Sequence, residues 1–232
     1  MGIIELKQVK KNYMLGKTVV EAVRGVDISI DAGDFISIAG PSGSGKSTIL
    51  NMIGLIDNPT DGDVLINGTS TALLKDKALT RLRHEFIGFI FQSFNLIPVL
   101  TVRENIEFPL LLGKKAGIRA SHREWIDTLI SEVGLDQHQK HRPNELSGGQ
   151  RQRVAIARAL VTKPEVVLAD EPTANLDSVT GEQILALMKK VNRDLNTTFI
   201  FSTHDNRIVE LADHIIRVKD GLVTENQKRS LS

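Results

Sequence analysis

The segment GPSGSGKS at residues 40–47 decides the fold of this chain. It follows the apolar run of residues 35–39 and leads into residues 48–53, which together indicate a strand, a glycine-rich turn and a helix. The segment matches every fixed position of the phosphate-loop pattern G-x-x-x-x-G-K-[ST]. Glycines let backbone N–H groups close around phosphate oxygens, and the start of the following helix adds unpaired donors. A glycine-rich loop can also merely turn the chain, but its place between strand and helix favours nucleoside triphosphate binding.

The side chains of this loop are of the types that bind a triphosphate and its metal ion. We expect Lys46 to reach the β- and γ-phosphates as a point charge, and the hydroxyl of Ser47 to ligate Mg²⁺. The predicted nucleotide-binding residues of the loop and the helix start are Gly40, Ser42, Gly43, Ser44, Gly45, Lys46, Ser47 and Thr48.

The composition is that of an ordinary folded protein. The 232 residues suit one large domain or two closely joined lobes, and 41% are apolar and 25% charged. A net charge of +1 and 4% aromatic residues provide neither a basic field nor a stacking platform for nucleic acid. Without cysteine, disulfides and thiol chemistry are excluded. No signal-peptide pattern and no apolar run of about 18 residues occurs, so we expect a cytosolic protein.

Short strands are predicted at residues 3–7 and 26–30, ahead of the phosphate-loop strand, and Asn67-Gly68 predicts a tight turn. The only tyrosine, Tyr13, stands in a polar stretch between the two strands. Its ring could pack at a sheet edge, which is the simpler interpretation of the residues alone. It could also stack on a nucleotide base.

A further apolar strand at residues 86–91 ends at Gln92. An amide in this position usually satisfies backbone groups, but beside a phosphate loop its carbonyl oxygen could reach the metal and the attacking water. The next segment runs from Phe94 to Asn105 and mixes apolar residues with charges, which leaves open whether it is core or a partner surface. Residues 104–142 have a helical pattern that interrupts the strand–helix alternation, and this predicts an inserted helical lobe.

A second glycine-rich segment, LSGGQ at residues 146–150, precedes a helical pattern. Ser147 and Gln150 have the spacing of a capping box, which is typical of an ordinary helix start. The consecutive Gly148 and Gly149 favour more than a cap, because they expose backbone N–H groups for close approach to an anion.

Candidate catalytic groups follow two later strands. Asp170 and Glu171 end the apolar run of residues 166–169; one acid can hold Mg²⁺ through water, and the other can orient or deprotonate the attacking water. Adjacent acids can also be plain surface charge, but the upstream phosphate loop favours catalysis. His204 follows the strand at 198–202 and is either a capped turn residue or a sensor of the γ-phosphate.

The C-terminal third predicts one amphipathic helix and one hairpin. The hairpin turns at Asp220-Gly221, and residues 227–232 are expected to fray. The apolar stripe of the helix consists of Ile184, Leu187, Met188, Val191 and Leu195.

In this order the motifs resemble those of the ATP-binding subunits of ABC transporters, over roughly residues 3–225. GPSGSGKS resembles the Walker A motif, Gln92 the Q-loop, LSGGQ the signature and VVLADE the Walker B motif. Residues 174–177 resemble the D-loop and His204 the switch histidine, and no motif position departs from the family pattern. SFNLIPVLTVRENI and LADEPTANLDS narrow the resemblance to the lipoprotein-releasing, macrolide-export and cell-division group (LolD, MacB and FtsE types).

The resemblance implies an α/β fold of the P-loop NTPase type, with a RecA-like core, an antiparallel β subdomain and an inserted α-helical lobe. It implies a single ABC ATPase domain over residues 1–232. The core with the β subdomain would occupy residues 1–91 and 151–225, the helical lobe residues 92–150, and a tail residues 226–232.

The resemblance also assigns roles in ATP hydrolysis with Mg²⁺. It implies that Tyr13 stacks on the base, against the simpler interpretation above, and that Gln92 contacts ATP. Two subunits would close head to tail, so that Ser147, Gly148, Gly149 and Gln150 of one cover the ATP of the other. The implied catalytic residues are Glu171, His204 and Gln92, and the implied metal ligands are Ser47, Gln92 and Asp170.

Two function classes are compatible with these motifs. The first is an ATPase that energises a separately encoded permease docked near residues 94–105, which would place it in the cytoplasm, peripheral on the inner face of the cell membrane. The second is a regulatory ATPase of a cell-division complex, whose membrane partner signals to cell-wall hydrolases and transports nothing. DNA-repair and translation ATPases of the superfamily usually carry a coiled-coil insertion or two phosphate loops, and we expect no nucleic-acid partner.

Overall fold

The computed structural model describes residues 2–112 and 120–229, and in these ranges ten strands form two sheets. The smaller sheet is antiparallel and has the order β2-β1-β4-β5. Its strands are β1 (Ile4–Leu15), β2 (Thr18–Ile30), β4 (Asp61–Ile66) and β5 (Thr69–Ser70). The turn predicted at Asn67-Gly68 joins β4 to β5 and is confirmed.

The strands predicted at 3–7 and 26–30 are the paired, largely buried ends of the long β1–β2 hairpin. The sequence did not predict the outer half of this hairpin, because the strand register shifts at three places and breaks the alternation of apolar and polar residues. Tyr13 lies in this outer half and pairs with Val20.

The larger sheet has the order β10-β9-β3-β8-β7-β6. Its strands are β3 (Phe35–Ala39), β6 (Ile87–Ile90), β7 (Val166–Asp170), β8 (Thr198–Thr203), β9 (His214–Lys219) and β10 (Leu222–Lys228). All neighbours run parallel except the β9–β10 hairpin. The carboxyl ends of β3, β6, β7 and β8 therefore meet at one edge, where parallel α/β sheets bind their ligands.

The expected fraying is wrong for residues 227 and 228, and the expected tail is wrong for residues 226–228, because β10 continues to Lys228. The ammonium of Lys228 lies 3.0 Å from Oδ2 of Asp34 and also pairs with Asp31, which holds the strand end on the sheet. The polar composition that suggested a tail belongs to an edge strand with a solvent-facing side. Residues 230–232 of the expected tail lie outside the described residues.

Seven helices accompany the sheets in the described residues. They are α1 (Lys46–Ile53), α2 (Asp76–Phe86), α3 (Val102–Glu107), α4 (Ala120–Glu132), α5 (Gly148–Leu160), α6 (Ser178–Leu195) and α7 (Asn206–Leu211). Between β6 and β7 the described residues hold α3, α4, α5 and short 3-10 turns, with no strand. The boundary expected after residue 150 falls inside α5, so a single helix runs from the inserted segment onto the sheet.

Two apolar clusters cover the faces of the larger sheet. One packs α3, α4, α5 and α6 against Phe35, Phe199 and Phe201, and the other packs α1 and the smaller sheet against the opposite face. Leu195 does not belong to the buried stripe of α6, since it is 42% exposed. It is the last residue of the helix, and Asn196 ends that helix with φ 51°. Within residues 2–112 and 120–229, no helix has the length and apolar character to cross a membrane.

Candidate active site

The phosphate-loop segment forms the predicted connection between β3 and α1. Gly45 precedes the helix with φ 105°, a left-handed conformation that favours glycine, and a Cβ there would lie 2.5 Å from the backbone oxygen of Ala22. A Cβ on Gly40 would lie 2.1 Å from the oxygen of Val218. The start of α1 has no side-chain cap, so its first N–H groups remain available to a bound anion.

The loop opens into a cavity of about 480 Å³. Its lining consists of Val20, Glu21, Ala22, Arg24, Gly43, Gly45, Lys46, Ser47, Thr48, Asp220 and Gly221. The Lys46 side chain is buried along the loop, and its Nζ donates to the backbone oxygens of Gly40 and Pro41, both at 2.9 Å. The buried hydroxyl of Ser44 has no hydrogen-bond partner among the described residues. The arrangement fits a polyphosphate, which brings negative charge to Lys46 and acceptor oxygens to the loop.

One wall of this cavity was missed by sequence reasoning. It comes from β2 and from the Asp220-Gly221 turn, which was predicted only as a hairpin. The N–H of Gly221 donates to the oxygen of Ser44 at 3.0 Å, and the N–H of Arg24 donates to the oxygen of Gly221 at 2.8 Å. The Asp-Gly turn was visible in the sequence, but its contact with the phosphate loop depends on tertiary packing.

Two predicted metal ligands lie together at the sheet edge. The hydroxyl of Ser47 donates to Oδ1 of Asp170 at 3.1 Å. The Oγ atoms of Ser47 and Ser202 are 3.5 Å apart. Two such oxygens fit Mg²⁺, which keeps several waters and takes further ligands from substrate phosphates. The described residues contain no group of three or more His, Cys, Asp or Glu that could hold a metal ion.

Gln92, the third predicted ligand, follows β6 at the same edge of the sheet. Its backbone oxygen accepts a hydrogen bond of 2.8 Å from Nδ2 of Asn175, which joins the segment after β6 to the loop before α6. Its side chain is exposed, and within the described residues it makes no hydrogen bond to Ser47 or Asp170. The two predicted ligands that the structure brings together are therefore Ser47 and Asp170.

Glu171 and His204 are in direct contact. Oε1 of Glu171 lies 2.8 Å from Nδ1 of His204, and Oε2 accepts from Thr203 Oγ1 at 3.3 Å. Glu171 has φ 46°, and its N–H donates to the oxygen of Ser202 at 2.9 Å, which holds this uncommon conformation. If Nδ1–H donates to the carboxylate, Nε2 is left to face solvent, since the His204 side chain is 68% exposed. Donation from Nε2 to a phosphate then requires a second proton on the ring.

The loop after Glu171 is tied to the loop after His204. Oγ1 of Thr173 donates to Oδ2 of Asp205 at 2.9 Å, and Nη2 of Arg207 donates to the same oxygen at 2.7 Å. Hydrogen bonds from Arg207 lower the pKa of Asp205 below its ordinary value, against an opposing effect of burial. Sequence reasoning did not predict this link, which fixes the two loops relative to each other.

The glycine-rich segment before α5 caps that helix, as the capping-box spacing predicted. Ser147 Oγ accepts from the N–H of Gln150 at 3.3 Å, and Oε1 of Gln150 accepts from the N–H of Ser147 at 2.9 Å. Gly149 is buried against α6, where a Cβ would lie 2.4 Å from Cγ2 of Thr180. Among the described residues that line the phosphate-loop cavity, none comes from residues 147–150.

Tyr13 lies beside the cavity rather than in its lining, although its strand partner Val20 is part of the lining. Its hydroxyl donates to Oδ2 of Asp57 at 2.7 Å, and Nζ of Lys11 lies 5.1 Å from the ring centroid. Partial burial and the hydrogen bond to Asp57 raise the pKa of Tyr13. Base stacking by Tyr13 stays a prediction.

The family model described as ABC transporter matches residues 23–174. This chain belongs to the ABC transporter family. It is an ABC-type ATPase, and the predicted P-loop α/β fold with an antiparallel sheet and helical parts is confirmed.

Three relatives illustrate the similarity of this ABC ATPase to known proteins. The uncharacterized ABC transporter ATP-binding protein MJ0796 of Methanocaldococcus jannaschii is 46% identical over 228 residues, which are 97% of this chain and 97% of that protein. A solved dimeric structure of MJ0796 in a post-hydrolysis state, bound to ADP and Pi, has a TM-score of 0.88 at 44% identity and covers 98% of this chain and 99% of that chain.

The other two relatives have transport names. The lipoprotein-releasing system ATP-binding protein LolD 1 of Rhodopseudomonas palustris is 45% identical over 222 residues, which are 95% of this chain and 98% of that protein. The macrolide export ATP-binding/permease protein MacB of Rhodopirellula baltica is 40% identical over 230 residues, which are 99% of this chain and 34% of that protein.

Proposed function

We propose that this chain hydrolyses ATP as a dimer around two nucleotides and drives a separately encoded membrane permease of the export or lipoprotein-release type. The observation that carries this proposal is the single sheet edge at which three groups lie. These are the buried Lys46 in its loop, the Ser47–Asp170 pair and the Glu171–His204 pair. Phosphoryl transfer needs these parts: a phosphate cradle, oxygen ligands for a metal ion and a base beside the attacking water.

In the proposed reaction, Glu171 accepts a proton from the water that attacks the γ-phosphate. Its contacts with Thr203 and His204 hold the carboxylate in one orientation while the proton moves. Lys46 neutralises charge on the β- and γ-phosphates, and His204 contacts the γ-phosphate through Nε2. Mg²⁺ held by Ser47, Asp170 and Gln92 would supply further charge neutralisation at the phosphate oxygens.

The proposed dimer rests on where Ser147–Gln150 lies. This segment presents backbone N–H groups at the start of α5, yet it lines no part of its own chain's phosphate-loop cavity among the described residues. A partner's ATP would give these donors an anion. The relative MJ0796 has a solved structure that is dimeric and bound to ADP and Pi, which supports a nucleotide-bound dimer for this chain.

The proposed permease contact lies at residues 94–105, beyond Gln92. Val99 is 72% exposed there, and the buried amide of Asn105 pins the loop through hydrogen bonds to Ile97, Leu100 and Thr101. This gives a fixed surface with an exposed apolar side chain, suited to a hydrophobic anchor. The name of the relative MacB joins ATP-binding and permease parts in one protein, which supports a permease as the partner. The chain would then be peripheral to the membrane.

Replacing Lys46 by alanine tests the nucleotide site. We expect roughly 10- to 100-fold weaker ATP binding, because a charge-assisted hydrogen bond to phosphate is removed from a buried position. Equilibrium dialysis measures the affinity apart from turnover. Lys75→Ala, at an exposed lysine before α2, is the matched control and should bind ATP as the wild type does. Unchanged affinity in Lys46→Ala would contradict the assigned phosphate site.

Replacing Val99 by aspartate tests the docking surface. We expect loss of permease binding with little change in melting temperature, since the side chain is exposed. Leu73→Asp is the matched control, because Leu73 is 82% exposed and lies in the 3-10 turn that follows β5, away from residues 94–105 in the chain. By contrast Leu96 packs on the core, so Leu96→Asp should lower the melting temperature. Full permease capture by a folded Val99→Asp variant would exclude this surface.

A further inference from the structure

One hydrogen bond determines which way the side-chain amide of Gln150 is turned. Its Oε1 accepts from the backbone N–H of Ser147 at 2.9 Å, and a backbone N–H can act only as a donor. The Nε2 of Gln150 therefore points the other way, where it lies 3.0 Å from Nε2 of His138. An amide nitrogen can only donate, so Nε2 of His138 must accept. This contact requires a neutral His138 ring with its proton on Nδ1.

The backbone of His138 is held by its own turn. His138 ends the 3-10 turn Asp136–His138, and its N–H donates to the oxygen of the fully buried Leu135 at 2.9 Å. The His141 ring lies 5.2 Å away between centroids, and among the described residues both Nδ1 atoms are buried without a partner. Since the first proton is on Nδ1, a second proton on His138 would go to Nε2 and face the amide hydrogens of Gln150.

Charged residues belong to the turns on either side of His138 and to α5, and on α3 Arg103 donates to Oε1 of the neighbouring Gln139 at 2.9 Å. Asp136 belongs to the turn of His138, Arg142 precedes the 3-10 turn Pro143–Glu145, and Glu145 ends that turn. On α5, Arg151 follows Gln150, but its guanidinium lies over the Phe94 ring, 5.3 Å from the centroid. The ring in contact with His138 is another imidazole, that of His141.

We propose that His138 is a positioning residue for the LSGGQ segment. Its neutral ring fixes the amide of Gln150, which fixes the N–H of Ser147 and so the shape of the start of α5. Protonation of His138 at Nε2 places its N–H against the N–H of the Gln150 amide, so that two donors face each other. If the Gln150 amide then rotates, its Oε1 no longer accepts from the N–H of Ser147. The consequence for ATP rests on the proposed function, in which this segment covers the partner's nucleotide.

The ring tautomer can be measured without nucleotide or dimer. Long-range ¹H–¹⁵N NMR of the ¹⁵N-histidine-labelled chain at pH 8 should show His138 with a protonated Nδ1 and an unprotonated Nε2. The signals are assigned by their loss in His138→Gln. A protonated Nε2 at pH 8 would overturn the proposal, whatever the state of the dimer.

The second measurement is the pH dependence of ATP-driven dimerisation, by sedimentation with Glu171→Gln to block turnover. Imidazole ordinarily titrates between about pH 5 and 8. From pH 8 to pH 5.5 the dimer association constant of the Glu171→Gln chain with His138 intact should fall about fivefold for each LSGGQ segment, or on the order of 25-fold for the dimer. This is the effect expected from the loss of one helix cap in each subunit. His138→Gln keeps a neutral acceptor at every pH and should lack this additional loss. Equal pH profiles for the two chains would overturn the proposal.

Two further variants separate positioning from general stability. His138→Lys places a permanent donor beside Gln150, so its dimer should already be weak at pH 8. Adding Gln150→Glu should restore it, because a carboxylate accepts on both oxygens. Absence of rescue in a folded double variant would count against the proposal. If the Glu171→Gln chain with His138 intact forms no ATP-driven dimer at pH 8, the proposed dimer is contradicted. The tautomer seen by NMR then decides the role of His138.

Discussion

Replacing Glu171 by glutamine is expected to lower ATP turnover by about 10²–10⁴-fold and to leave ATP binding nearly unchanged. Glutamine has the same shape, so the backbone bond to Ser202 and the contact with Thr203 can persist. It lacks the carboxylate that would take the proton from the attacking water. Steady-state phosphate release and equilibrium dialysis on the same preparation separate the two effects.

Glu165→Gln is the matched control for this change. Glu165 is exposed and stands before β7, at the strand end opposite Glu171, so the same loss of charge is placed away from the cavity. We expect its turnover to equal that of the wild type. Near-normal turnover in Glu171→Gln would remove Glu171 from the role of base, and loss of ATP binding would indicate a structural role instead.

The parts of the site that could be predicted from sequence are those set by local rules. The phosphate loop needs left-handed glycines and an uncapped helix start within a few residues, so its pattern is visible in one segment. Asp170 and Glu171 follow an apolar strand directly, and Ser147 and Gln150 show the spacing of a capping box.

What the sequence could not supply are contacts between segments far apart in the chain. The bond between Glu171 and His204 depends on β7 and β8 being neighbours, which the strand order decides. The cavity wall formed by Arg24 and Gly221 likewise depends on the β9–β10 turn reaching the phosphate loop. Residues 226–228 were misjudged because an edge strand can be polar on its exposed side.

The geometry of these long-range contacts also explains how the parts of the site can act together. The oxygen of Gln92 is bound by Asn175, and Thr173 is bound by Asp205 beside His204. A displacement of the loop after Glu171 would therefore reach both the proposed docking segment and the proposed γ-phosphate contact. We therefore expect nucleotide binding to change the position of residues 94–105 through this loop.

Replacing Ser147 by arginine is expected to abolish the ATP-driven dimer while the isolated chain stays folded. Ser147 is exposed at the start of α5, so a long cation can be accommodated in the free chain. In the proposed dimer the same position would face the partner's ATP, where the added bulk would hold the two surfaces apart. The loss of the cap itself costs about 0.5–2 kcal/mol, which is too little to unfold a domain of this size.

Sedimentation velocity of Glu171→Gln with and without ATP, in the presence and absence of Ser147→Arg, measures this effect. Two variants separate its causes: Ser147→Ala removes the cap without adding bulk, and Ser131→Arg adds the same cation on the exposed surface of α4. We expect Ser147→Ala to weaken the dimer and Ser131→Arg to leave it intact. A dimer that survives Ser147→Arg would contradict the proposal that the start of α5 faces the partner's nucleotide.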